Sequence, residues 1–445
     1  MHGETTMTRY YEVSQITGSV NPDDSYYSLY GRPSISQDGA RVVFAARRDA
    51  SQLKHIIRIR DRDADHVGSR EIFTSVQGVE RALVSTNPVI SGNGEKIAFD
   101  SINDYVGDGE SGIYIYDIDS GEVRRVVTDR VPRWPDGSPR YGEPGLTKRV
   151  NKRPSISDDG SLVSYISTEY EYNGAAREKW SRARQYLCVA EIQGDQILGN
   201  CIVSITMENV HGYGINSQSM SGNGQKIAFY AGGVVEDIQV ENLTMPPYDP
   251  VIHSASAGPS CDVYCYVLFI HGLGRHRLHV VPEPDHASAP LVVAHSHSRL
   301  VQGFNALNIH YTPPSLSEEG ERVALNGFFV QGESRTGVYV YETKDMETRH
   351  IISLGVTPSA TDEEEALATG ANPAINRDGT CLAYYRRDVV YRGPLYEGSP
   401  SVEKDEVVVH DIPFGDVSNI FEGEQTPNYT LEMGLAIDRD GSNLA

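Results

Sequence analysis

The sequence predicts an all-β fold, a seven-bladed β-propeller of four-stranded antiparallel blades, from three observations. A thirteen-residue pattern is written seven times, two further strands follow the copies, and a strand-like N-terminus stands where it can complete the last one. The second copy shows the pattern most plainly: Asn87-Pro88-Val89-Ile90-Ser91-Gly92-Asn93-Gly94-Glu95-Lys96-Ile97-Ala98-Phe99. A short apolar strand turns at Asn-Gly and returns as a second.

The turn glycines are Gly39, Gly94, Gly160, Gly224, Gly320, Gly379 and Gly441. Before them stand Asp38, Asn93, Asp159, Asn223, Glu319, Asp378 and Asp440. Asp-Gly and Asn-Gly supply the positive φ that a tight two-strand turn demands. Six residues before the glycine, five copies carry Pro33, Pro88, Pro154, Pro314 or Pro373. Each proline is expected to open its strand, where the missing N–H is not yet needed by the ladder. Three residues after the glycine the chain is always apolar: Val42, Ile97, Val163, Ile227, Val323, Leu382, Leu444. Two further on, six copies place a bulky group: Phe44, Phe99, Tyr165, Phe229, Leu325, Tyr384.

Third and fourth strands are expected at 113–117 and 123–127 in the second unit, 338–342 and 349–352 in the fifth, and 407–411 in the sixth. Four short strands at such a period mean blades around an axis. The whole chain then forms one domain with blades at about 31–84, 86–128, 152–206, 216–282, 313–354, 372–421 and 433–445, the last completed by 6–16. That sealing blade is one strand short, and a continuation beyond Ala445 would supply it.

Lys and Arg number 39 against 61 Asp and Glu, a net charge of −22. An acidic surface of that size repels phosphate backbones and argues against a nucleic-acid partner. No run of about eighteen apolar residues is present to span a membrane as a helix. The N-terminus has no basic start followed by an apolar core, so it carries no secretion-signal pattern. Of five cysteines, Cys188 and Cys201 flank a hairpin turning near Gly194 and fall opposite each other by counting. A cross-strand disulfide and two reduced strand cysteines both fit that placement.

The run Pro-Ser-Ile-Ser-x-Asp-Gly followed by an apolar strand, at Pro33 to Phe44 and Pro154 to Tyr165, resembles TolB-type β-propeller repeats. The stretch 87–128 is similar to the form found in many bacterial surface and secreted proteins. The resemblance covers nearly the whole chain. It implies a propeller and an extracellular or periplasmic location. It leaves the role open among scaffold, lectin-like binder and enzyme domain.

Strand order sorts the connections onto two sides. Turns between first and second strands are uniformly tight. Insertions at about 128–152, 167–185, 231–261, 282–312 and 386–404 all fall on the other side, where a site is therefore expected. Trp134 and Trp180 lie there with Tyr141, Tyr170, Tyr172 and Arg133, a candidate surface for a protein or glycan. Packing of the long loops into their own small cores would use the same aromatics. Arg130, Arg133, Arg140, Lys148, Arg149, Lys152 and Arg153 make this region basic, suiting an acidic glycan or protein; ordinary solvated charge is the alternative.

Eight of fourteen histidines fall between His253 and His310. His295 and His297 point the same way on an extended stretch and are candidate ligands for a divalent metal, although no carboxylate at a recognised spacing completes the set. Asp104, Asp108 and Glu110 read either as a calcium loop or as an exposed acidic turn. Phe269-Ile270-His271-Gly272-Leu273-Gly274 resembles an oxyanion-hole segment of α/β-hydrolases, but no Gly-x-Ser-x-Gly exists, so it reads as a blade turn. The function these features favour is a non-enzymatic recognition or scaffold module. The alternative is a metal-assisted carbohydrate lyase or hydrolase built on the histidine-rich fourth blade.

Overall fold

The computed structural model describes residues 28–47, 54–62, 69–107, 110–130, 146–172, 180–194, 196–206, 214–232, 234–237, 260–271, 277–280, 291–297, 314–331, 333–342, 347–354, 356–358, 364–392, 401–411, 417–422, 435–439 and 444. These residues form strands and turns, with no helix among them. The first sheet runs Ser28–Ile35, Arg41–Arg47, Ile56–Asp61 and Arg70–Glu71 in chain order; the second runs Val89–Ile90, Lys96–Ser101, Gly112–Asp117 and Val123–Thr128. A two-stranded ribbon, Phe73–Val76 and Val79–Ala82, lies between them in sequence.

The third sheet comprises Thr147–Ile156, Leu162–Tyr172, Trp180–Gln193 and Gln196–Thr206, with Val234–Asp237 added at its outer edge. In the fourth, Gly214–Met220, Lys226–Gly232 and Ser260–His271 are followed by Arg277–Val280 and Leu291–His297, which both pair with Ser260–His271. Phe269, Ile270 and His271 pair antiparallel with His279, Leu278 and Arg277, while the rest of the hydrolase-like segment lies outside the described residues. The fifth sheet is Ser315–Leu316, Arg322–Gln331, Glu333–Glu342 and Glu347–Leu354. The sixth is Glu364–Ile375, Cys381–Arg392, Ser401–Asp411 and Val417–Glu422, with Val356–Pro358 as a fifth strand. The seventh copy is described at 435–439 and at Leu444, which bridges Ile437; the strand expected at 6–16 lies outside the described residues.

Each turn is built the same way. Six of the seven turn glycines are described, with φ between 62° and 74°. In the first copy Ser36 Oγ donates to Asp38 Oδ1 at 2.6 Å and accepts from the Arg41 N–H at 2.9 Å, while Asp38 Oδ1 also accepts from the Ala40 N–H. Ser91 with Asn93, Ser157 with Asp159 and Ser221 with Asn223 repeat this arrangement. Asp and Asn are interchangeable here because the turn uses one acceptor oxygen that both possess.

Neighbouring copies join through backbone hydrogen bonds at these turns. Gln37 N–H donates to Gly92 O, Asn93 to Asp158, Asp158 to Gly222, Asn223 to Glu318, Glu318 to Arg377, Asp378 to Arg439, and Arg439 back to Gln37, at 2.7–3.4 Å. All seven copies stand in one closed circuit. Serine after the proline adds a second link: Ser34, Ser155 and Ser315 Oγ accept from the N–H of Ile90, Met220 and Ile375.

Between the sheets lies a row of apolar clusters. Val43 and Ile57 pack with Ile97, Phe99 and Tyr114; Ile113 and Ile115 pack with Val163, Tyr165 and Cys188. Val340 meets Ile375, Leu382 and Tyr384. The seventh copy is held from both sides, Leu435 and Ile437 against Ala374, Cys381 and Val409, and Ala436 against Ile35, Val42 and Phe44. Phe99, Phe229 and Tyr384 are all but fully buried, so the bulky position of the repeat fills the space between sheets, at about 1.5–3 kcal/mol per side chain. Cys188 is disulfide-bonded and the register sets Cys201 opposite it, while Cys381 is a buried thiol.

Two expectations need correction. Pro88 and Pro314 do precede their strands, but Pro33, Pro154 and Pro373 lie inside Ser28–Ile35, Thr147–Ile156 and Glu364–Ile375. The pairing register shifts around each of them, so the absent N–H falls at a bulge that needs no ladder bond. The insertions at 167–185 and 386–404 are in large part strand, because the hairpins Leu162–Tyr172/Trp180–Gln193 and Cys381–Arg392/Ser401–Asp411 are simply longer than other copies'.

Candidate functional site

The long hairpins of the third sheet end in the region where aromatic and basic residues were expected. Arg130, just past the second sheet, exchanges backbone hydrogen bonds with Arg149 at 2.7 and 2.9 Å, which ties that sheet to the first strand of the third. Side chains alternate across that strand. Lys148 is opposite Tyr170 in register, and its Nζ lies 5.0 Å from the centre of the Tyr170 ring. On the other face the Arg149 guanidinium lies 4.6 Å from the centre of the Tyr186 ring and 3.1 Å from Glu169 Oε2. Burial, reinforced by repulsion from Lys152, lowers the pKa of Lys148.

Tyr172 is only 5% exposed, and Trp180 is its cross-strand partner. The accessible part of this region is therefore Tyr170 with Lys148, and Tyr172 belongs to the packing beneath. Trp134, Tyr141 and Arg133 lie outside the described residues.

Below this surface is a buried polar network that sequence reasoning missed. Asp129 Oδ1 accepts from the backbone and side-chain amides of Asn151 at 2.8 and 3.0 Å, and Oδ2 accepts from Ser111 Oγ. Asp100 Oδ1 accepts from Ser85 Oγ at 2.9 Å. Burial raises both carboxyl pKa values. Asn151 and Ser167 are cross-strand partners, and Asn151 Oδ1 and Ser167 Oγ are buried without a hydrogen-bond partner. The available signal was the placement of Asp100 directly after Phe99 within an apolar strand and of Asp129 at the end of Val123–Thr128.

The candidate metal ligands fall at two places in the chain, 104–110 and 295–297. Asp104 Oδ1 accepts from the N–H groups of Val106 and Gly107, at 3.0 and 2.8 Å, so it shapes its own turn. The Glu110 carbonyl accepts from Tyr114 Oη at 2.7 Å, and Asp108 lies outside the described residues. His295 and His297 lie in one strand, paired in register with Asp262 and Ser260. Among the described residues no group of three or more His, Cys, Asp or Glu side chains is arranged to hold a metal ion.

A second charged cluster occupies the tight-turn end. The residue before each Asp/Asn-Gly is Gln37, Gly92, Asp158, Gly222, Glu318, Arg377 or Arg439. Gln37 Nε2 donates to Glu318 Oε2 at 3.1 Å, Arg439 Nη2 lies 3.4 Å from the same oxygen, and Arg377 Nη2 lies 2.7 Å from Asp158 Oδ1. Burial raises the Asp158 pKa, partly offset by Arg377. Both Asp158 oxygens lack a well-directed hydrogen bond, so charge proximity rather than an aligned N–H···O contact holds that pair. A Cβ at Gly92 or Gly222 would fall 2.3 or 2.0 Å from the Asp158 carboxylate. This position varies from copy to copy, as does the residue after each turn glycine, so the sequence did not single it out.

No family model matches the sequence, and no curated protein does. Solved structures to which it is similar include propellers. TolB from Acinetobacter baumannii is 12% identical with a TM-score of 0.30, over 72% of this chain and 53% of TolB. The β-propeller domain of the Trilobed protease from Pyrococcus furiosus is 12% identical with a TM-score of 0.33, over 89% of this chain and 99% of that domain. Oligogalacturonate lyase from Vibrio parahaemolyticus is 10% identical with a TM-score of 0.36, over 87% of this chain and 90% of the lyase. The chain spans about half the length of TolB. No helix among the described residues is long and apolar enough to cross a membrane.

Proposed function

We propose that the chain is a seven-bladed β-propeller, its last blade completed by 6–16, that serves as a non-enzymatic recognition scaffold for a protein or glycan. The closed circuit of turns supports the ring. The observation that carries the binding role is the pairing of Lys148 with Tyr170 on a hairpin extending away from those turns. A tyrosine face accepts a sugar ring or an apolar side chain, and the adjacent cation suits an acidic partner. The Cys188 disulfide fits an extracellular or periplasmic setting.

Glycan-array and pull-down measurements on Tyr170→Ala, Lys148→Ala, Trp134→Ala and Trp180→Ala test this site. Binding about tenfold weaker in at least the first two is expected, equivalent to about 1.4 kcal/mol. Unchanged binding in all four refutes it. The second reading, a metal-assisted carbohydrate lyase or hydrolase using His295 and His297, draws support from the register, which pairs His295 with Asp262. Elemental analysis of chelator-free protein and the activity of His295→Ala decide it: no bound metal and no lost activity removes that reading.

A further inference from the structure

Arg32 precedes Pro33 in the first strand of the first sheet. Its guanidinium reaches away from that sheet. Nε donates to the Leu435 carbonyl at 2.5 Å and Nη2 to the Pro373 carbonyl at 3.4 Å. Those carbonyls belong to the seventh and sixth copies, so the group lies across inner strands of three copies, next to the axis of the proposed ring. Protein surrounds it, and burial lowers its pKa to about 10. The residue nevertheless keeps partial solvent exposure, as expected for a side chain lining a narrow channel rather than sealed in a core.

No carboxylate pairs with Arg32 among the described residues; its partners are the two carbonyls. A guanidinium has five N–H groups, so both on Nη1 and one on Nη2 are left over. A buried cation with no counter-charge is unfavourable, and arginine does not escape by losing its proton. The remaining fork matches the two oxygens of a carboxylate or phosphate.

The equivalent position in the third copy is also arginine. Arg153 has φ of 55°, a left-handed conformation that non-glycine residues adopt at an energetic cost and often at binding sites. Across the seven copies this position reads Arg32, Asn87, Arg153, Ser217, Pro313, Asn372 and Gly434, with no acidic residue in a chain that has 61.

We propose that the inner wall of the ring, at the level of the residue before the repeat's proline, is an oxyanion-binding site with Arg32 as its principal ligand. The proposal rests on the ring but not on the loop-bearing surface. Calorimetric titrations at low ionic strength with inorganic phosphate, with glucuronate and with a chloride control test it, the first two separating a phosphate source from a carboxylate source. One equivalent of one oxyanion is expected to bind, about tenfold more weakly to Arg32→Gln and less weakened in Arg32→Lys, which keeps charge without the fork. Arg32→Gln should leave binding at the Tyr170 surface, read by the glycan array and pull-down, as it is in wild type, so failure of the loop surface and failure of this site are told apart. Equal binding by Arg32→Gln, or no heat above the chloride control from either anion, overturns the proposal. Should Arg32→Gln not fold, phenylglyoxal labelling of wild type decides: the bound anion must protect Arg32, and undiminished labelling overturns it.

Discussion

Replacing Gly222 with alanine probes the charged cluster at the turns. The backbone there is not left-handed, so the added methyl is the whole perturbation, and it would fall 2.0 Å from Asp158 Oδ2 and 3.1 Å from Arg377 Nη1. Asp158 has little room to yield. Its N–H is bonded to the Gly222 carbonyl, its carbonyl accepts from Asn93, and its carboxylate lies 2.7 Å from Arg377. The two side chains are only 15% and 18% exposed. Overpacking alone costs about 1–3 kcal/mol and breaking a buried pair about 3–5, so a loss of about 2–4 kcal/mol is expected for this mostly buried pair. A chain of 445 residues gains about 0.9 kcal/mol/K of entropy on unfolding, so Tm should fall by about 2–4 °C. Scanning calorimetry of Gly222→Ala, Asp158→Ala and the double variant checks the cause. With Asp158 cut back, the Gly222 methyl meets no carboxylate, and the double variant should match Asp158→Ala. A further drop of the same size in the double variant would show that Asp158 is not what fills the space.

Gly112→Ala should be worse, because its Cβ would lie 1.9 Å from the Val127 carbonyl, part of a paired backbone; Gly78→Ala, with open space around it and only φ of 79° to strain, should lose about 1 kcal/mol by comparison in chemical denaturation. At Asp38 and Asp159 burial tends to raise the pKa, but hydrogen bonds from Ser36 and Ala40, and from Ser157 and Ser161, outweigh it and leave both lowered. A depressed acid stabilises above its unfolded value of about 4 and loses that contribution as pH falls through its folded value. Asp38→Asn and Asp159→Asn, copying Asn93 and Asn223, should therefore keep the turns and flatten the fall of Tm below about pH 4. Asp100 and Asp129, raised by burial, act with the opposite sign: their stabilisation is present at low pH and declines as pH rises through their folded values. Reductant should lower Tm by about 3 °C, since a disulfide closing a loop of about 15 residues contributes about 3 kcal/mol, and Cys188→Ala should abolish the response.

The parts of this fold that are local were legible. Asp-Gly and Asn-Gly turns, the apolar strand after them and the later strands of the second, fifth and sixth units need only neighbours in sequence, and among the described residues they appear in the first six copies. The circuit was not legible, because the residue before each Asp or Asn contributes backbone to a neighbouring copy and, at Gln37, Asp158, Glu318, Arg377 and Arg439, a side chain to a distant one, and neither obligation leaves a pattern along the chain. Pro33, Pro154 and Pro373 misled for a related reason: a missing N–H is harmless at a bulge as well as at a strand start, and composition does not separate the two. Tyr170 and Tyr172 read as equals, two apart in one insertion. The chain near Leu146, whose carbonyl accepts from the Tyr172 N–H at 2.9 Å, runs beside the second and leaves the first half-exposed.

The junction between the seventh copy and the first differs in kind from the other six. Between the other copies the polypeptide passes on in order, whereas 435–439 lie more than 380 residues along the chain from Ser28–Ile35. At this junction the described links are the Arg439-to-Gln37 bond, the reach of Arg32 to Leu435, and Ala436 set among Ile35, Val42 and Phe44. In the proposed ring, a pull on the two ends of the chain would part this junction first, like a bracelet at its clasp. The copies would then swing open in order while each sheet stayed intact.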